Sequence, residues 1–198
     1  MSELCDTQKA TRRAWAEATD SLPKRHVEAM KSLEWSADVL AKLEAACGGL
    51  IDGGSLTLLG GRGTGKTQAA VQLAAWWIDL RAKDGRSTSV RYARMFDLLH
   101  TVKHAAYDER LRGPLDSWAS VGLLIIDEIN EQRLTNDDAL WFVTLFDRRY
   151  AAMRPTILIG NTMPSEMPKV VGPSVWSRLQ ETGRLLVCDW PSFREAKP

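Results

Sequence analysis

Residues Gly60 to Thr67 read GGRGTGKT and fit the spacing G-x-x-x-x-G-K-[ST] of a loop that wraps a chain of phosphates. Glycines at 60, 61, 63 and 65 let the backbone close on an anion without side-chain obstruction, and the amides of a following helix start supply an anion site. In that arrangement Lys66 reaches the β- and γ-phosphates, and Thr67 offers its hydroxyl to magnesium, a hard cation held by few protein ligands. The candidate nucleotide-binding set is Gly60, Gly61, Arg62, Gly63, Thr64, Gly65, Lys66, Thr67 and Gln68.

A second signal is LLIIDEI, residues 123–129, an apolar strand ending in two carboxylates. Ligands bind at the carboxyl ends of strands in open α/β sheets. Asp127 can hold the magnesium shell, and Glu128 can orient or deprotonate a water, a pairing that favours hydrolysis over phosphoryl transfer to a substrate. The strand TILIG ends at Asn161, whose amide could hold the attacking water or a γ-phosphate oxygen, although an asparagine there also suits a turn. Arg178, in VWSRLQ, is the cation type best matched to transition-state phosphate charge, with a surface salt bridge as its plainer reading.

These groups need a scaffold that places strand ends side by side. Five aliphatic and β-branched segments, 55–60, 88–92, 121–127, 156–160 and 184–190, alternate with helical stretches, which reads as a parallel α/β sheet covered by helices. The spacing predicts helices over 65–80 and 136–152, the latter with Asn136 as cap. Leu33, Ala37, Leu40 and Leu43 form a helical stripe expected to stop at Gly48-Gly49. Residues 1–30, interrupted by Pro23, read as a helical arm or loosely docked helices, the candidate partner-binding element, and 31–198 as one catalytic domain.

The chain has 198 residues, 44% hydrophobic and 26% charged, with a net charge of +1. No apolar run approaches the roughly 18 residues that span a bilayer, and the charged N-terminus lacks the apolar core of a secretory signal, so a cytoplasmic location is expected. Cys5, Cys47 and Cys188 lie far apart, which speaks against a zinc site or a disulfide framework. With so balanced a charge, any nucleic-acid surface must be local.

The succession GxxGxGKT, LLIIDE, FDRRYAAMRPTILIGNT, WSRL and DWPSFR resembles the AAA+ ATPases of the DnaC/DnaI bacterial helicase-loader type over residues 33 to 194. The resemblance implies an ASCE P-loop core of strand order 5-1-4-3-2 with ATP as the nucleotide. It implies Asn161 as sensor 1 and Arg178 as an arginine finger acting on ATP bound by a neighbouring subunit. The implied function is loading of a hexameric replicative helicase onto single-stranded DNA, with slow, assembly-dependent ATP hydrolysis. Two departures stand out: only eight residues follow Trp190, too few for a helical lid, and residues 1–30 are shorter than the usual helicase-binding domain. Both fit a compact version such as a phage or prophage would carry. The related transposition helpers of the IstB type share this core but act on double-stranded DNA with a transposase.

Between 81 and 112, eight basic residues face four acidic ones. Met95, Leu98, Leu99 and Val102 make an apolar helical stripe, leaving His100, Lys103, His104 and Tyr107 on another face. With Arg94 and Arg110 these are the candidate contacts to single-stranded DNA, through phosphate charge and base stacking. A merely solvated helix face is the plainer reading. Trp15 and Trp35 are placed either to anchor a partner or to pack back on the domain.

Overall fold

A computed structural model describes residues 11–13, 15–107, 113–131 and 133–193, with the side chains of 105–107 excepted. Five strands, β1 (Ser55–Leu59), β2 (Val90–Arg94), β3 (Leu123–Asp127), β4 (Thr156–Gly160) and β5 (Arg184–Val187), form one sheet in the order β2-β3-β4-β1-β5. All its pairings are parallel, and this is the 5-1-4-3-2 order expected from the sequence, read from the other edge. The topology matters for the site. It inserts β4 between β1 and β3, so whatever follows β4 lies between the phosphate-type loop and the carboxylates.

Strand alternation divides the core in two. Leu56, Leu58, Leu123, Ile125, Ile157 and Ile159 face helices α2 (Ala37–Ile51) and α3 (Lys66–Lys83), where Val39, Leu43, Leu50, Leu73 and Trp77 are buried. Leu124, Ile126 and Leu158 face the opposite layer of α4 (Met95–Tyr107), α6 (Asn136–Ala151), α7 (Met167–Val171) and α8 (Pro173–Thr182). The short α5 (Pro114–Ser120) precedes β3. The apolar stripe Met95, Leu98, Leu99, Val102 is buried as its spacing predicts. Cys47 and Cys188 are free and buried, and Cys5 lies outside the described residues. Among the described residues no helix is long and apolar enough to cross a membrane.

The N-terminal segment packs on the same core. Ala18 and Leu22 are buried within it, Trp15, Val27, Met30 and Leu33 pack against it, and Ser21 Oγ donates to Val90 O at 3.1 Å. The short helix α1 (Lys24–Ala29) rests on α3. Trp35 is buried as well, edge-on to Phe193 with ring centroids 5.5 Å apart, so both tryptophans pack back on the domain.

Element ends differ from the pattern-based reading. Helix α2 runs through Gly48-Gly49 because Leu50 is anchored in the core, and it stops at Asp52, where Gly53 adopts φ 84°. Helix α6 is capped by Thr135, not Asn136. Thr135 Oγ1 accepts from Asp138 N and the Asp138 carboxylate accepts from Thr135 N, a reciprocal pair that outcompetes a cap one residue later. Strand β5 ends at Val187, before the segment 188–190, because the chain there turns over the β1 loop.

Arg149 is the buried polar anchor of this architecture. At 1% exposure its Nε donates to Thr156 Oγ1, and its terminal nitrogens donate to the carbonyls of Trp118, Ala119, Val121 and Pro155. It thus ties the last turn of α5 to the starts of β3 and β4. Burial pushes its pKa down to about 9, which leaves it charged at neutral pH. Removing the cation strands several buried carbonyls, so Arg149→Met is expected to lower unfolding stability by ~3 kcal/mol or more. A urea midpoint unchanged from wild type would refute this role.

Candidate active site

The loop GGRGTGKT leaves the carboxyl end of β1 and enters α3. Gly65 is the residue before the helix with φ 80°, and a Cβ there would meet the Phe193 ring at 2.9 Å. Gly60 adopts φ 145° against the Cys188 carbonyl, which a Cβ would meet at 2.4 Å. Both positions therefore need glycine for conformation and for space. Lys66, 5% exposed, donates from Nζ to Gly60 O at 2.9 Å and Gly61 O at 2.5 Å. The segment after β5 roofs the loop. Cys188 N donates to Leu59 O, Trp190 Nε1 to Thr64 O, and Phe193 N to Gly63 O.

Register places the carboxylates opposite this loop. Thr67 Oγ1 donates to Asp127 Oδ2 at 2.8 Å, and Tyr92 OH donates to the same oxygen at 2.9 Å. Burial, and then Asp127, pushes the Tyr92 phenol well above its ordinary value, so it remains a donor. Asp127 Oδ1 accepts from Glu128 N at 2.7 Å. Glu128 itself has φ 59°, in the left-handed region that is uncommon for a residue with a side chain. Its carboxylate faces Arg94, the register partner of Asp127, with Nε 3.4 Å from Oε2.

Asn161 follows β4 and therefore lies between the two strand ends, as its place in the sheet order requires. Its Nδ2 donates to Glu131 Oε1 at 2.7 Å, its N to Asn130 Oδ1 at 2.7 Å, and its O accepts from Asn130 Nδ2 at 3.2 Å. Glu131 also accepts from Arg62 of the loop, at 2.9 Å to Oε2 and 3.2 Å to Oε1. Lys66, Thr67, Asp127, Glu128, Glu131 and Asn161 line one cavity of about 530 Å³. Arg25, His26, Ala29 and Leu33 from the N-terminal segment, and Phe193 from the roof, also line it.

Gln68 also lines this cavity. Gln68 turns its side chain to His26, donating from Nε2 to His26 O at 3.0 Å, with Oε1 3.0 Å from Nδ1. Arg178 does not line this cavity. On α8, it pairs with Asp147 at 3.1 Å and lies 5.5 Å from the Tyr150 ring centroid.

Of the DNA-contact candidates, Arg94 faces Glu128, and Lys103 binds Asp138 at 2.9 Å and Asp137 at 3.3 Å. The hydrogen bond to Asp138, foremost, holds the Lys103 ammonium above its ordinary value. His100 and His104 are exposed, with ring centroids 4.2 Å apart, and Phe96 lies 6.0 Å from His100. Tyr107 ends α4 with its side chain outside the described residues, and Arg110 lies outside them altogether. The candidates on α4 are thus an aromatic ladder beside an ion-paired lysine. A second cavity of about 420 Å³ runs beneath it and shares Glu128 and Glu131 with the first.

Sequence reasoning missed Tyr92, Glu131 and Asn130. Only Glu131, a third acidic residue just beyond the Asp127-Glu128 pair, left a signal there.

The arrangement can grip a triphosphate on loop amides and Lys66, and the Thr67 hydroxyl beside the Asp127 carboxylate is a hard-oxygen donor set that fits magnesium. Comparison with known proteins finds ATP-binding relatives. The family model described as IstB-like ATP binding protein matches residues 16–175. An insertion-sequence ATP-binding protein of Bacillus thuringiensis subsp. berliner is 35% identical over 107 residues, 54% of this chain and 40% of that protein. The replicative helicase loader DnaC of Escherichia coli is 29% identical over 146 residues, 71% of this chain and 56% of that protein. The chain spans about half the length of the curated relatives it matches. Among solved structures, the DnaC helicase loader superposes with TM-score 0.69 at 21% identity, covering 83% of this chain and 99% of that one. DnaI gives 0.64 at 18%, covering 86% and 93%. These likenesses identify the fold as the P-loop AAA+ fold.

Proposed function

The chain belongs to the family of IstB-like ATP binding proteins, and from that premise we propose that it is an ATP-hydrolysing loader of a hexameric replicative helicase. The observation that carries hydrolysis is the convergence of Thr67, Asp127, Glu128 and Asn161 on one cavity with Lys66. In this reading Lys66 and the loop amides bind phosphate, and Thr67 and Asp127 hold magnesium. Magnesium bound there supplies positive charge to the phosphate oxygens. Glu128 orients a water and takes its proton at a carboxylate oxygen, while Asn161 donates to the γ-phosphate or to that water. Arg178 completes a neighbour's site in an ATP-bridged assembly. Residues 1–30 contact the helicase through their exposed residues, such as Arg12, Lys24 and Arg25, and the His100–His104 ladder receives single-stranded DNA.

The finger role has its own test. Arg178→Ala is expected to bind ATP normally while turnover falls by about 10³-fold. Mixing it with Glu128→Gln should restore part of the activity, because each variant supplies what the other lacks. No recovery on mixing would place Arg178 within its own subunit's chemistry.

Kinship with DnaC supports the loader reading, and kinship with the insertion-sequence protein supports a second one, an IstB-type transposition helper that binds double-stranded DNA and a transposase. Tagged Glu128→Gln protein with ATP and magnesium, used as bait in host lysate, separates them. Recovery of the replicative helicase supports the loader, and recovery of a transposase with double-stranded DNA overturns it.

A further inference from the structure

Three elements end around the nucleotide cavity, and one carboxylate touches two of them from the third. Glu131 lies just beyond β3. Its Oε1 accepts from Asn161 Nδ2, beyond β4, at 2.7 Å, and both its oxygens accept from Arg62, beyond β1, at 3.2 and 2.9 Å. The segment carrying it is held tightly. Glu131 N donates to Glu128 O at 3.3 Å, and the Asn130 side chain clamps Asn161 through both backbone groups.

We propose that Glu131 is a positioning residue for the hydrolysis assigned above, a reading on which this inference rests: its carboxylate fixes the rotation of the Asn161 amide and ties that amide to Arg62 of the phosphate-binding loop. The chemistry is directional. An asparagine amide has a donor end and an acceptor end of nearly equal shape, and an ionised carboxylate can only accept. Glu131 therefore selects the orientation in which Asn161 turns its NH₂ group toward the loop. One N–H is used on Glu131, and the second is left to donate toward a terminal phosphate or a water. With the amide reversed, its oxygen would face both the Glu131 carboxylate and the phosphates, a doubly repulsive arrangement. The carboxylate is held below the usual range, first by the Asn161 hydrogen bond and also by Arg62, which keeps it ionised for this role.

The test compares kcat, the KM for ATP and ADP affinity in wild type, Glu131→Gln, Glu131→Ala, Asn161→Ala and the double alanine variant. Glu131→Ala should lose ~10-fold or more in kcat, while KM and ADP affinity move less than about threefold. Glu131→Gln, which can turn its acceptor or its donor end to Asn161 and so selects the orientation only in part, should give a kcat between those of Glu131→Ala and wild type. Adding Glu131→Ala to Asn161→Ala should cost nothing further, because the first acts through the second. Wild-type kcat in Glu131→Ala, an equal loss of kcat and nucleotide affinity, or additive losses in the double variant would each overturn the proposal. A wild-type protein that binds ATP but shows no turnover, alone or with DNA, would instead overturn the ATPase reading on which it rests.

Discussion

Lys66→Ala is expected to lose ATP affinity by ~10- to 100-fold while remaining folded. The ammonium is buried against the loop, donating to the Gly60 and Gly61 carbonyls, and no other lysine lines the described cavity. A charge-assisted hydrogen bond contributes ~1.5–3 kcal/mol, and each 1.4 kcal/mol is a factor of ten in affinity. The glycines and helix amides stay in place, so weak residual binding should persist. Isothermal titration with ATP and magnesium reads this directly, with a thermal melt to confirm folding. Affinity equal to wild type would remove the phosphate-binding role of the loop and the functional reading built on it.

Glu128→Gln is expected to separate binding from chemistry. The substitution keeps the shape at a position with φ 59°, but it removes the charge that faces Arg94 and the group able to take a proton from water. General-base catalysis contributes about 10² to 10⁴ in rate, so turnover should fall within that range while ATP affinity holds. The trapped ATP state should also assemble more readily, since the nucleotide proposed to bridge subunits is no longer consumed. Phosphate release and light scattering on the same sample read both effects. Turnover at the wild-type rate would leave Glu128 outside the reaction and pass the base role to no other residue in the present reading.

The parts of the site that survive translation from sequence to structure are those whose chemistry is written in consecutive residues. A loop of glycines ending in Lys66-Thr67 determines its own backbone path, and an apolar strand that ends in Asp127-Glu128 carries its carboxylates to the carboxyl end of the sheet wherever that strand lies. Helix boundaries were less legible. Whether α2 stops at Gly48-Gly49 or at Gly53 depends on how firmly Leu50 is buried, and whether Asn136 or Thr135 caps α6 depends on Asp138 reaching back. Charge was the least legible of all. Lys103 looked like part of a cationic face, yet Asp137 and Asp138, more than thirty positions away, take it up.

By itself the sequence determined the nucleotide loop, the carboxylate pair and the five parallel strands, because each rests on short-range periodicity or on a contiguous motif, while the strand order was implied only by the family resemblance. Only the tertiary structure decided that Tyr92 supports Asp127, that Glu131 joins Arg62 to Asn161, that Arg149 staples α5 to β3 and β4, and that Phe193 closes over Gly65. The physical reason is the same in each case. These contacts join residues far apart in the chain, and hydrogen bonding requires them to meet within about 3 Å. No local pattern sets such a distance; the sheet order and the packing of the helices on it do.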